Sequence, residues 1–223
     1  MKSKVIIVLI FAAFLSNWIP VFSASRNDST VIRYYLENLD SVCAGQYIFN
    51  AGVPFTFTLN SIYQQTNYRG MVNKSDTAKL QFFFSGGRQD SVKIIDSAKF
   101  DKNIIPSSFA VPAVWRETYV YSFYPNDTGA GILAIGFDLP SGSTDHPVGF
   151  LTLDRNRYFL QSLFLGYVHK EGYREYSQTF RFKEFGEYYI LQRWEIDGSI
   201  NTITGIKYFR QIYELYDYKL GGK

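Results

Sequence analysis

AKLQFFFSGGRQDSVKII, residues 78–95, is the stretch from which the rest of the chain can be read. Leu80, Phe82 and Phe84 alternate with Lys79 and Gln81, the period-two pattern of a strand with one face covered. Gly86-Gly87-Arg88-Gln89-Asp90 supplies turn residues and Val92-Lys93-Ile94-Ile95 returns, so the stretch is a hairpin. The same period continues on both sides. Upstream, Pro54 to Tyr63 sets Phe55, Phe57 and Leu59 against Thr56, Thr58 and Asn60. Downstream, strands are expected at Trp115–Tyr124, Ile132–Leu139, Phe150–Asp154, Tyr158–Leu165, Tyr173–Phe182, Glu187–Ile196 and Ile206–Leu220. Turn residues separate them: Asn126 to Gly129, Pro140 to Gly149, Arg155 to Arg157, Gly166, Gly172, Lys183 to Gly186, and Asp197-Gly198.

One segment has a different period. Val31, Ile32, Tyr35, Leu36, Leu39 and Val42 recur at helical spacing between Ser29 and Cys43, with Ser29 or Thr30 as cap and Gly45 beyond the end. The fold class is therefore α+β, mostly β. A single amphipathic helix precedes an antiparallel meander of about 10–11 strands, with no linker and no repeat. Asp96 to Val114 breaks the alternation and holds Pro106 and Pro112, a loop long enough to suggest a function.

Residues 1–23 have the organisation of a secretory signal peptide: Lys2 and Lys4, an apolar run from Val5 to Leu15, Pro20, then Val21-Phe22-Ser23-Ala24. Eleven apolar residues reach about half of a ~30 Å hydrocarbon core, so cleavage near Ser23 is expected over an uncleaved anchor. A single domain, 24–223, remains. Cys43 is the only cysteine, which excludes an internal disulfide, and it lies too far from the apolar run to carry a lipid. Export without a disulfide framework points to the periplasm. The triplets at Asn27, Asn73 and Asn126 leave an extracellular route open.

With 23 basic and 20 acidic residues in 223, the chain is not built to grip a phosphate backbone, so no nucleic acid partner is expected. Catalytic motifs are absent. His146 and His169 fall in expected turns, Glu184, Glu187 and Glu195 read as the wet face of a sheet, and Cys43 reads as an inert thiol on the helix. The expectation is no enzyme, no metal and no cofactor. What stands out is the aromatic load, 18 Tyr, 20 Phe and 3 Trp. The candidates for a concave apolar face are Phe55, Phe57, Phe82, Phe84, Tyr119, Tyr121, Phe123, Leu133, Ile135, Phe137, Tyr176, Phe180, Ile190 and Trp194. Such a face is either a packed core or the wall of a cavity for an apolar ligand.

Two stretches carry a family resemblance. Gly149-Phe150-Leu151-Thr152-Leu153-Asp154 followed by Tyr158, and Thr204-Gly205-Ile206-Lys207 opening the last strand, resemble hairpins of the LolA/LolB-type lipoprotein carriers. The order of elements is similar over most of the mature chain. The resemblance implies an unclosed, strongly curved half-barrel holding a helix and a lid, with acyl chains between them. The lid would be Asp96 to Val114, carrying Phe100, Ile104, Ile105, Phe109 and Val111. Arg116, Arg174, Arg181 and Arg210 are all candidates for the family's arginine, and Tyr208 stands where the family has proline. The function expected is a periplasmic carrier or binder of lipid or lipoprotein acyl chains. Its partners would be a lipid or acylated protein and a membrane-associated donor or acceptor. The rivals are an outer-membrane β-barrel and a secreted β-rich interaction module with a filled core.

Overall fold

The computed structural model describes residues 26–97, 105–106, 108–112, 118–123, 131–140 and 146–221, without the side chains of 26–28 and 97. The expected signal segment, Phe100, Ile104, Trp115, Arg116 and the turn at Asn126 lie outside the described residues. Among the described residues one helix, α1 (Arg26–Gln46), precedes ten strands. These are β1 (Phe55–Thr66), β2 (Val72–Ser85), β3 (Arg88–Ser97), β4 (Val120–Phe123) and β5 (Ile132–Asp138), followed by β6 (Val148–Asp154), β7 (Leu160–Gly166), β8 (Glu175–Phe185), β9 (Tyr188–Thr202) and β10 (Gly205–Leu220).

All ten strands form one antiparallel sheet in the order β3-β2-β1-β10-β9-β8-β7-β6-β5-β4. β3 and β4 are its two edges, so the sheet is an open half-barrel. A membrane-spanning barrel needs a closed sheet, because an unpaired edge cannot be satisfied in lipid. The expected serial meander is corrected in one respect. The last strand pairs with the first, and the connection between β3 and β4 joins opposite edges. The segment expected as a lid, Asp96 to Val114, begins within β3 and otherwise belongs to this crossing connection, of which 105–106, 108–112 and 118–119 are described.

α1 lays Ile32, Leu36 and Leu39 on the sheet, all essentially inaccessible, whereas Val31 of the expected apolar face is exposed. The spacing of the buried three is one helical stripe. Arg33 and Glu37 pair across one turn at 2.7 Å on the outer face. The helix continues through Gly45, and Asn50 Nδ2 then donates to the Cys43 carbonyl at 2.8 Å. The Ile48 amide donates to the Tyr189 carbonyl at 3.1 Å, which ties the helix exit to the start of β9.

Asp197-Gly198 is not the turn that the sequence suggests. β9 runs through it to Thr202, with Gly198 paired to both Phe209 and Tyr176. A Cβ on Gly198 would lie 2.6 Å from Phe209 Cζ, so glycine is needed here to seat a ring. The β6–β7 turn is as expected: one Asp154 carboxylate oxygen accepts from the Asn156 and Arg157 amides at 2.8 Å each. Gly149, in the first stretch quoted for the family resemblance, stands where a Cβ would lie 1.9 Å from the Phe164 carbonyl oxygen.

Candidate functional site

The concave face divides into a filled half and a partly covered half. In the first, β1 and β2 set Phe57 on Phe82, centroids 5.0 Å apart and 4° from parallel, and Phe55 on Phe84 at 5.0 Å and 16°. These are the cross-strand pairs Phe57 with Phe82 and Phe55 with Phe84. Phe49, from the segment after α1, meets Phe55, Phe57 and Phe84 edge-on at 5.2–5.5 Å. From the crossing segment, Phe109 stacks on Phe49 at 5.1 Å and meets Phe57 and Phe82 edge-on at 5.3 Å. The Tyr47 hydroxyl donates to the Phe109 carbonyl at 2.6 Å and fixes the segment in place. Phe55, Phe57, Phe82, Phe84 and Phe109 are all buried, and Ile105 and Val111 pack against the same core.

In the second half, β8, β9 and β10 align Phe180, Trp194 and Tyr213 in one register row. Phe180 stacks on Trp194 at 5.2 Å, and Tyr213 lies 5.0 Å beyond. Trp194 is half-buried, and its indole N–H is inaccessible yet has no hydrogen-bond partner. The next row holds Gln178, Ile196 and Gln211. Gln211 donates to Ser61 Oγ at 2.9 Å and Gln178 to the Tyr176 hydroxyl at 3.1 Å. Burial pushes the hydroxyls of Tyr213 and Tyr176 up to about 12. Both stay neutral under ordinary conditions.

The remaining candidates lie toward β4 and the start of β9. Tyr119 is buried and packs on Phe137 at 5.2 Å, its hydroxyl donating to the Pro147 carbonyl at 2.6 Å. Ile135, Phe137 and Ile190 are core, while Tyr121 and Phe123 are half-buried against it. Of the candidate arginines, Arg174 is exposed. Arg181 and Arg210 alternate with inward-facing Phe180 and Gln211, and Arg210 pairs with Asp197 at 2.7 Å. Neither faces the aromatic wall.

Two surface concavities escaped the sequence reading. One, about 600 Å³, lies between the end of α1 and the β6–β7 and β8–β9 turns, and is lined by Gln46, Arg157, Tyr158 and Glu187 among others. The other, about 300 Å³, lies between the β1–β2 turn and the start of β10. Turn residues from distant parts of the chain build both, and no local pattern signals such a meeting. Beside the first, Cys43 accepts a hydrogen bond from the Tyr189 hydroxyl at 2.6 Å, and burial pushes the thiol up to about 11. That thiol is a poor nucleophile near neutral pH. Among the described residues no group of three or more His, Cys, Asp or Glu could hold a metal ion.

No protein-family model matches the sequence, and no curated protein matches it. Several solved structures are similar. A LolA superfamily protein of Nitrosomonas europaea is 9% identical, covering 86% of this chain and 94% of that one, with a TM-score of 0.38. A domain of Vibrio parahaemolyticus described as an outer membrane lipoprotein-sorting protein is 11% identical, covering 83% and 91%, with a TM-score of 0.40. A DUF1329 family protein of Desulfovibrio piger is 9% identical, covering 84% and 92%, with a TM-score of 0.42. Likenesses of this size carry no inference about ligand or activity. A LolA superfamily protein and a lipoprotein-sorting domain are thus among the solved structures to which this chain is similar.

Proposed function

We propose that the chain is a periplasmic, non-enzymatic carrier or binder of an apolar ligand, a lipid or the acyl chains of a lipoprotein, held on the concave face under the crossing segment. The observation that supports this reading is the uneven cover of that face. Phe49 and Phe109 fill the Phe57–Phe82 half, whereas Tyr121, Phe123, Trp194 and Ile196 remain only half-buried. These are apolar groups at the edge of the core that the described residues leave partly open to an acyl chain. Each methylene buried there contributes about 0.8 kcal/mol, so binding needs area and no chemistry. The segment between β3 and β4 is the lid of this reading, and its displacement or a tighter-binding acceptor releases the ligand. Residues 1–23 are the export signal, and the partners are the acylated cargo and a membrane-associated donor or acceptor.

The test has two arms. The purified protein is extracted with organic solvent and the extract is analysed by mass spectrometry. Separately, an apolar fluorescent probe is titrated into the protein and into Tyr121→Lys. The reading expects co-purified lipid, or a probe signal that long-chain fatty acid displaces and Tyr121→Lys weakens. Absence of both lipid and probe signal overturns it.

A further inference from the structure

One end of the sheet bears apolar side chains that the core does not use. Val72, Thr66, Tyr208, Ser199 and Glu175 lie side by side across β2, β1, β10, β9 and β8. Three connections project beyond this row: the β1–β2 turn at 67–71, the β9–β10 tip at 203–204 and the β7–β8 connection at 167–174. The β9–β10 hairpin reaches four residues past the row, roughly 13 Å at strand rise. At its tip Ile203 is fully exposed, and Tyr68, Met71 and Val168 on the neighbouring turns are each more than half exposed.

Basic residues are interleaved with them. Arg69 follows Tyr68, Lys207 follows Ile206, Lys170 is two residues after Val168, and Arg174 follows Tyr173; against these four bases stand two acids, Glu171 in the β7–β8 connection and Glu175 in the row. Single exposed apolar residues are ordinary on a soluble chain; what sets this end apart is that four of them stand on three neighbouring connections with basic residues between them. Two partners could cover them, and the shape distinguishes the two. A protein partner needs a continuous complementary face of about 800 Å². Here the apolar groups stand on separate turns, as knobs with basic residues between them. A bilayer accommodates separate knobs, and its anionic headgroups match the basic residues.

We propose that this end of the sheet docks on an anionic lipid bilayer, with Ile203, Met71 and Tyr68 entering the interface and Arg69, Lys170 and Lys207 meeting phosphate headgroups. The docking does not depend on any ligand on the concave face. The long β9–β10 hairpin serves as its leading edge, because Ile203 at its tip is fully exposed.

The test labels the purified chain with a polarity-sensitive nitrobenzoxadiazole at Ile203→Cys and, in a second protein, at Lys183→Cys near the opposite end of β8. Both labels are placed in a Cys43→Ala background, which removes the native thiol. Vesicles of phosphatidylethanolamine with phosphatidylglycerol are compared with phosphatidylcholine vesicles. The Ile203 label is expected to brighten and shift to the blue on the anionic vesicles, less so in high salt, while the Lys183 label does not respond. Met71→Asp with Ile203→Asp should weaken vesicle binding roughly tenfold or more with an unchanged unfolding midpoint. A silent Ile203 label overturns the proposal, as does an equal response at Lys183. A response without vesicles that grows with protein concentration also overturns it and assigns the end to self-association.

Discussion

Phe109 lies stacked on Phe49, their rings 5.1 Å apart and 19° from parallel, although one comes from the segment between β3 and β4 and the other from the residues after α1. The contact clamps the crossing segment to the helix exit over the Phe57–Phe82 pair. Phe109→Ala should therefore destabilise the protein by about 3 kcal/mol, as for a buried ring removed from a packed site. Urea unfolding followed by tryptophan fluorescence reads this directly. Early proteolytic cleavage between residues 97 and 118 should accompany the loss, because the clamp holds that segment.

Tyr47→Phe keeps the ring and removes the hydroxyl that donates to the Phe109 carbonyl at 2.6 Å. The carbonyl is left without that partner in a buried setting, at a cost of about 1–2 kcal/mol. If the unfolding midpoint does not change, the hydroxyl is not what anchors the segment.

Stability should fall in mild base through Cys43. Its thiol has an ordinary value of 9.0 and is pushed up to about 11, first by burial. The folded protein then holds a proton that the unfolded chain releases between those values. The contribution is complete below about pH 9 and is lost as pH rises toward 11, by about 2 kcal/mol. Tyr47 and Tyr189, raised mainly by burial, add a loss of the same sign at higher pH. Cys43→Ala should flatten the decline just above pH 9 in a series of urea midpoints.

Two glycine substitutions should differ in severity. At Gly149 a new Cβ meets the Phe164 backbone oxygen at 1.9 Å, which the β6–β7 pairing holds rigid. At Gly198 it meets the far end of the Phe209 ring at 2.6 Å, and a ring can turn away. Gly149→Ala should abolish or severely impair folding. Gly198→Ala should cost about 1–3 kcal/mol, recovered in part by Phe209→Ala. Equal losses by circular dichroism melts would contradict this ordering.

Strand positions and the helix were legible because period-two and helical patterns are local, and burial of one face enforces them. The pairing of Phe82 with Phe57 follows from two such strands meeting. Other features were not legible. Asp197-Gly198 has the composition of a turn, yet the strand continues because Phe209, eleven residues later in sequence, needs the space above Gly198. The exposed Val31 could not be told from its buried neighbours, since helical spacing gives a stripe without fixing its edge.

By itself, then, the sequence determined that this is a β-rich chain with one leading amphipathic helix and a large aromatic load, because alternation and spacing are written residue by residue. The tertiary structure alone decided that β1 pairs with β10, leaving β3 and β4 as the edges and sending their connection across the concave face. It also decided which aromatic rings pack as core and which stay half-exposed. Both outcomes depend on contacts between residues far apart in the chain, and no local pattern encodes which distant ring will fill a given space.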